Sequence, residues 1–229
     1  MTELLRLEDV SKSFARTLPA RTTLFGRLRS RLSGEPEPRV EALRGVSLSV
    51  RAGDCVGLTG PNGSGKTTLL RVAAGIYEPS SGRVVRAGRS GAFLGVDAGW
   101  REELSARDNA ELALVLLGLD AREARRRLDG VFDFAGLKAE APVRLAELSS
   151  GQRARLAFSS ALASDAELLF VDELLAVGDA AFQERCLAAV ASARAAGRAF
   201  LVASHDAALL ARAGARLVRL EGGRAVPAC

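Results

Sequence analysis

Gly60-Pro61-Asn62-Gly63-Ser64-Gly65-Lys66-Thr67-Thr68 places two glycines around four residues and follows them with lysine and threonine. That spacing suits phosphate. Glycines let the backbone curl until successive N–H groups converge on phosphate oxygens, and a helix starting there adds partial positive charge. Lys66 has the reach for β- and γ-phosphates, and the Thr67 hydroxyl can ligate Mg²⁺. Upstream, Asp54-Cys55-Val56-Gly57-Leu58 reads as a buried strand; downstream, Thr68 to Ala74 reads as a helix. Strand, glycine loop and helix are the context the motif needs, so a bound triphosphate is expected rather than an ordinary glycine turn.

A second pair of groups fits the same chemistry. Leu168-Leu169-Phe170-Val171 is a short apolar run ending in Asp172-Glu173. Such a run predicts a buried strand with both acids at its end. There Asp172 can hold Mg²⁺, and Glu173 can orient the attacking water or accept its proton. The bland alternative is a surface acid pair opening a loop.

The elements around these residues alternate between strand and helix. Leu4 to Val10 is a weak strand running into Phe14, and Val46 to Val50 alternates cleanly as a half-buried strand. Between them, Arg16 to Arg39 loses any period. It carries Arg16, Arg21, Arg27, Arg29 and Arg31 and exits through Glu35-Pro36-Glu37-Pro38, and is expected to be a basic insertion. After the loop helix, Glu78 to Gly82 is a turn, and Val84-Val85 and Ala92-Phe93-Leu94 are strand candidates. Leu104 to Leu119, Ala121 to Ala135 and Leu148 to Ala163 read as helices, a helical subdomain of about 97–163 set into the chain. Asp179 to Ala196 is a further helix and Ala199 to Ala203 a further strand. A last helix and two short strands around Gly222-Gly223 follow.

Composition narrows the class. The 229 residues are 48% hydrophobic with a mean hydropathy of +0.11, enough for one large α/β domain. No apolar run approaches the length of a spanning helix, and Met1 to Arg6 has no signal-peptide core, so a reducing cytosolic setting is expected. Cys55, Cys186 and Cys229 are scattered without paired spacing, which argues against disulfides and a metal cluster. A net charge of +5 admits nucleic acid or an anionic membrane as partner, while a general bias towards arginine explains it equally. With aromatics at 5% there is no base-stacking platform, and no nucleic-acid partner is expected.

Leu148-Ser149-Ser150-Gly151-Gln152, taken with the phosphate loop and Asp172-Glu173, resembles the signature of the ATP-binding cassette (ABC) family, with Ser150 in place of its first glycine. The resemblance covers nearly the whole chain. It implies a P-loop NTPase (RecA-like) α/β core with an antiparallel β subdomain and an inserted helical subdomain. It also implies ATP and Mg²⁺ as cofactors, and a homodimer in which Ser149, Gly151 and Gln152 bind the γ-phosphate of the ATP held by the other copy. His205, the single histidine, sits in Ala203-Ser204-His205-Asp206 where the family has a histidine contacting the γ-phosphate. Gly178-Asp179 matches a loop crossing the dimer interface. Phe14 falls where the family stacks an aromatic on adenine, with a plain core phenylalanine as the competing reading. One departure stands out: near Gly95, where cassettes carry a glutamine touching Mg²⁺ and relaying to the membrane partner, there is none.

Val171 to Gln183, and Asp97-Ala98-Gly99-Trp100 with Leu104 to Asn109, are similar to the branch that exports capsule, O-antigen and teichoic acid. That likeness implies transmembrane permease partners, a place on the cytoplasmic face of the inner (plasma) membrane, and a lipid-linked glycan as cargo. Other transporter cassettes and a nucleic-acid cassette ATPase are the alternatives. A P-loop kinase or GTPase would lack Ser149–Gln152.

Overall fold

A computed structural model describes residues 2–15, 39–93, 99–173 and 179–226. The basic segment 16–38, the loop around Gly95, residues 174–178 of the branch-like stretch, and Cys229 lie outside the described residues.

The strands divide between two sheets. β1 (Glu3–Ala15), β2 (Arg39–Arg51) and β4 (Ser81–Arg86) make an antiparallel sheet ordered β2-β1-β4. β3 (Cys55–Thr59), β5 (Ser90–Phe93), β6 (Leu168–Asp172), β7 (Ala199–Ala203), β8 (Arg216–Glu221) and β9 (Arg224–Val226) form the other, ordered β5-β6-β7-β3-β8-β9. All its pairings are parallel except β8 with β9. β3, β6 and β7 are apolar almost throughout, as strands covered on both faces must be. β1 and β2 run further than their apolar pattern: Phe14 pairs with Val40 and Ala15 with Arg39, so Arg39 belongs to β2 and not to the insertion. Cross-strand hydrogen bonds hold this polar extension, and a hydrophobic period cannot register them.

Among the described residues, three hydrophobic clusters form the core. The first lies between the antiparallel sheet, one face of the parallel sheet and α1 (Lys66–Ala73). The second covers the other face, under α4 (Ser150–Leu162), α5 (Ala180–Ala195) and α6 (Ala207–Arg212). The third joins α2 (Ala106–Leu116), α3 (Ala121–Ala135) and α4. α4 serves both of the latter, with Leu156 in the helical cluster and Phe158 against the sheet. Trp100 packs on both.

Side-chain caps open most helices: Ser105 for α2, Asp120 for α3, Ser149 for α4, Asp179 for α5 and Asp206 for α6. The cap at Ser105 shortens the expected 104–119 helix at its start, and Gly118, at φ 97°, follows its end.

Arginines close several helices. Arg86 donates to the carbonyls of Val72 and Ala73 at the end of α1. Arg198 donates to Leu162 and Ser164, and Arg127 to Ala163 and the Asp165 carboxylate, at the end of α4. Arg194 reaches Ala213 after α6 and Gly53. A guanidinium there satisfies orphan carbonyls and meets the negative end of the helix dipole. Part of the arginine excess is therefore structural. Replacing half-buried Arg198 by leucine should cost about 1–3 kcal/mol, since carbonyls at the end of α4 lose their donor. Urea unfolding of the isolated protein checks this; an unchanged midpoint would refute the capping account.

Candidate functional site

Parallel register sets the site. Leu58 pairs with Ala203, and Asp172 pairs with Ala203 from the other side, so β3, β6 and β7 end level at one edge of the sheet. The phosphate loop leaves β3, the acids end β6, and His205 follows β7 by two residues. Ligands of open parallel sheets bind at that carboxyl edge.

The loop needs its glycines. Gly60, at φ 135°, has Leu220 O where a Cβ would come within 2.1 Å, and Gly65, at φ 106°, has Ala42 O at 2.6 Å from that position. Gly65 also precedes α1 with no side-chain cap, unlike the five helices above, so the first N–H groups of α1 are left for an anion. Lys66 is nearly buried, and its Nζ donates to Gly60 O at 2.7 Å and Pro61 O at 3.0 Å. The Ser64 hydroxyl is buried and has no hydrogen-bond partner among the described residues. A buried hydroxyl without a partner in the phosphate loop fits a phosphate oxygen as its acceptor.

Asp172 is half-buried. Burial pushes its carboxyl above the usual carboxylate range and the charge of Glu173 adds to this, while the Thr67 hydroxyl, Arg71 and Lys66 pull it down. Among the described residues no three His, Cys, Asp or Glu side chains converge on a metal site. The donors here are one carboxylate and one hydroxyl. That set fits Mg²⁺, which keeps waters and takes phosphate oxygens as its other ligands.

Glu173 adopts a left-handed backbone at φ 55°, its N–H donating to Ala203 O at 2.9 Å. For a glutamate this conformation costs on the order of 1–3 kcal/mol. It directs the carboxylate towards His205, with Oε1 3.4 Å from Nδ1. His205 is held between two anchored neighbours. Ser204 N–H donates to Leu58 O, and the Ser204 hydroxyl accepts from Asp206 N–H.

The remaining predicted residues lie apart. Ser149 and Gln152 form a capping box: the Ser149 hydroxyl accepts from Gln152 N–H, and Gln152 Oε1 accepts from Ser149 N–H at 2.9 Å. Gln152 Nε2 reaches Glu140, not the phosphate loop. Open space surrounds the Cβ position of Gly151. Phe14, 36% exposed, is not in the core; its ring meets Tyr77 edge-on, 5.5 Å between centroids. Asp179 caps α5 through Phe182 N–H.

Sequence reasoning passed over two supports. Asn109 is fully buried; its Oδ1 accepts from Arg101 N–H, and its Nδ2 donates to the carbonyls of Arg101, Leu104 and Ser105, clamping the loop beside Trp100. The guanidinium groups of Arg155 and Arg185 both lie over the Phe182 ring, 5.8 and 5.3 Å from its centroid, and the Arg155 contact ties α4 to α5. An asparagine four residues after a capping serine was the available sign for the first. Nothing local marks the second.

A family model described as ABC transporter matches residues 43–176. The O-antigen export system ATP-binding protein RfbB of Myxococcus xanthus is 38% identical over 208 residues, 87% of this chain and 47% of that protein. The O-antigen export system ATP-binding protein RfbE of Yersinia enterocolitica is 38% identical over 184 residues, 80% of this chain and 77% of that one. The teichoic acids export ATP-binding protein TagH of Staphylococcus epidermidis is 32% identical over 183 residues, 80% and 69% of the two chains. The chain thus spans about half the length of the first relative and over two thirds of the others. A dimeric ATP-binding cassette solved in a post-hydrolysis state with ADP and Pi shares the fold, with a TM-score of 0.79, 23% identity and coverage of 98% and 97%.

The burial of Asp172 has a measurable consequence. Asparagine keeps an acceptor for Thr67 but removes the desolvated charge. Asp172→Asn should therefore raise the thermal midpoint of the metal-free protein by about 2–4 °C, the shift of roughly 1 kcal/mol in a chain this size. It should also lose the extra stabilisation that Mg²⁺ adds to ATP. A lowered midpoint would contradict the desolvation account.

Proposed function

Because the chain belongs to the ABC transporter family and carries its ATPase cassette, we propose that two copies bind and hydrolyse ATP at a shared interface and so drive a membrane-spanning partner. The relatives named for O-antigen and teichoic acid export support a lipid-linked polysaccharide or teichoic acid as cargo. One observation carries the ATPase reading: the phosphate loop, Asp172, Glu173 and His205 converge at one sheet edge, while Ser149–Gln152 sits at a helix start whose hydrogen bonds go elsewhere. Each chain then holds two halves of different sites, and a second copy completes both.

In this reading the loop N–H groups, the Ser64 hydroxyl and Lys66 bind the phosphates, with Lys66 exchanging its two carbonyl acceptors for phosphate oxygens. Phe14 stacks on the adenine. Thr67 and Asp172 hold Mg²⁺, which when bound neutralises charge on the transferring phosphoryl group. Glu173 orients water in line with the γ-phosphate and takes its proton, and His205 steadies that carboxylate and contacts the γ-phosphate. From the partner copy, the start of α4 directs partial positive charge at the same phosphate. The Ser149 hydroxyl accepts a bond from Gln152 N–H and still has its own proton to donate.

No helix among the described residues is long and apolar enough to cross a membrane. The relatives named for O-antigen and teichoic acid export support a place beneath a permease, on the cytoplasmic face of the inner membrane. A groove of about 200 Å³ lined by Ala92, Trp100, Ala113, Leu116 and Leu117 supports permease docking. Leu116 is 67% exposed there, and Val115 and Leu104 are also exposed.

Two outcomes test the proposal. Glu173→Gln should lower hydrolysis by about 10²–10⁴ while retaining ATP and dimerising with it on size exclusion; wild-type turnover would remove Glu173 from its role. Leu116→Glu should leave the isolated ATPase unchanged yet abolish co-purification with a co-expressed partner permease. Intact co-purification would move the docking surface elsewhere.

A further inference from the structure

Tyr77 is the chain's single tyrosine, and no motif points to it. It follows α1, where its N–H donates to Arg71 O at 3.1 Å, and it packs on the first hydrophobic cluster. Its ring meets that of Phe14 at 75°, a bracing contact and not a parallel stack. Two cations lock the pair. Lys12 Nζ lies 5.2 Å from the Phe14 centroid and 5.7 Å from that of Tyr77, and is pinned by donating to Glu78 O at 2.7 Å. The Arg71 guanidinium lies 5.7 Å from the Tyr77 ring and donates to its hydroxyl at 3.1 Å.

Phe14 is thus not a free ring at a strand end. It is keyed by Tyr77 to the helix that begins in the phosphate loop, five residues from Lys66 to Arg71 along that helix. We propose that Tyr77 is a positioning residue for the nucleotide base, setting the plane of Phe14 relative to the phosphate loop so that base and triphosphate are read as one ligand. The proposal rests on the reading of Phe14 as the adenine platform. A fixed ring loses less freedom when a base stacks on it, so the bracing should appear as base-dependent affinity. Edge-to-face aromatic pairs prefer this arrangement, and cations on the ring faces strengthen it. The face left to the base is then set by the fold and not by the ligand.

The experiment compares ATP with inorganic tripolyphosphate on the full chain by calorimetry. Tyr77→Ala should weaken ATP about 3- to 10-fold, the size of one aromatic pair, and leave tripolyphosphate unchanged. Tyr77→Phe, which keeps the ring, should restore most of the ATP affinity. Phe14→Ala is the control for the platform. If it weakens ATP selectively while Tyr77→Ala does not, the platform stands and the proposal falls. If Phe14→Ala also treats the two ligands alike, the platform reading itself fails, and the proposal with it. Equal loss of both ligands in Tyr77→Ala would make Tyr77 a support of the loop only, which also overturns the proposal. A second measurement needs no substitution in the core. 3-Fluorotyrosine incorporated in the wild-type chain gives one ¹⁹F resonance, expected to shift with ATP and stay still with tripolyphosphate. A resonance that ignores ATP refutes the proposal.

Discussion

The parallel pairing of β3, β6 and β7 is the constraint on which the site depends. In parallel strands each chain must return before it pairs, so all three arrive with the same polarity. Their carboxyl ends therefore share an edge, and the register sets Leu58, Asp172 and Ala203 level. Three motifs from positions around 60, 172 and 205 meet only because of that geometry. The apolar character of the strands enforces it, since a residue on either face that could not be buried would forfeit the register.

Around this edge the protein holds several groups in unfavourable states. Asp172 keeps a carboxylate partly out of water, and Glu173 keeps a left-handed backbone. Both conditions suit chemistry on a charged phosphate: the first favours a cation, the second aims the carboxylate. The surrounding packing supplies the compensation: Ala203 O accepts from Glu173 N–H, Leu58 O from Ser204 N–H, and the Ser204 hydroxyl from Asp206 N–H. The arginines at helix ends do the same at longer range, tying the end of α1 to β4, that of α4 to the turn before β7, and that of α6 to α5.

The helix α4 connects the two halves. Its start carries Ser149 and Gln152 in a box that presents the helix N-terminus, and its body is buried against both the sheet and the helical cluster. Arg155 reaches from α4 over the Phe182 ring, and Trp100 spans both clusters. A displacement of the helical group is therefore felt by α4 and, through Phe182, by the helix that follows the acid pair.

Much of this was legible in the chain. Helix caps, the glycine loop and the apolar strands are local signals, because each depends on residues a few positions apart. The ends of α3 came out as read and those of α5 differ only at its capping residues, while α4 starts at Ser150, two residues later than read, because Ser149 caps it. The sequence also named the residues that gather at the sheet edge, since the motifs carry the chemistry in their types and spacing. Other features depended on contacts between distant segments. The polar reaches of β1 and β2 exist because each is the other's hydrogen-bonding partner. Tyr77 was invisible because its significance is a ring 63 positions away, at Phe14. The strain at Glu173, the desolvation of Asp172 and the cation contacts on Phe182 likewise arise only when the strands and helices pack. Residue type determined what each group can do, and the tertiary structure decided which groups stand close enough to do it together.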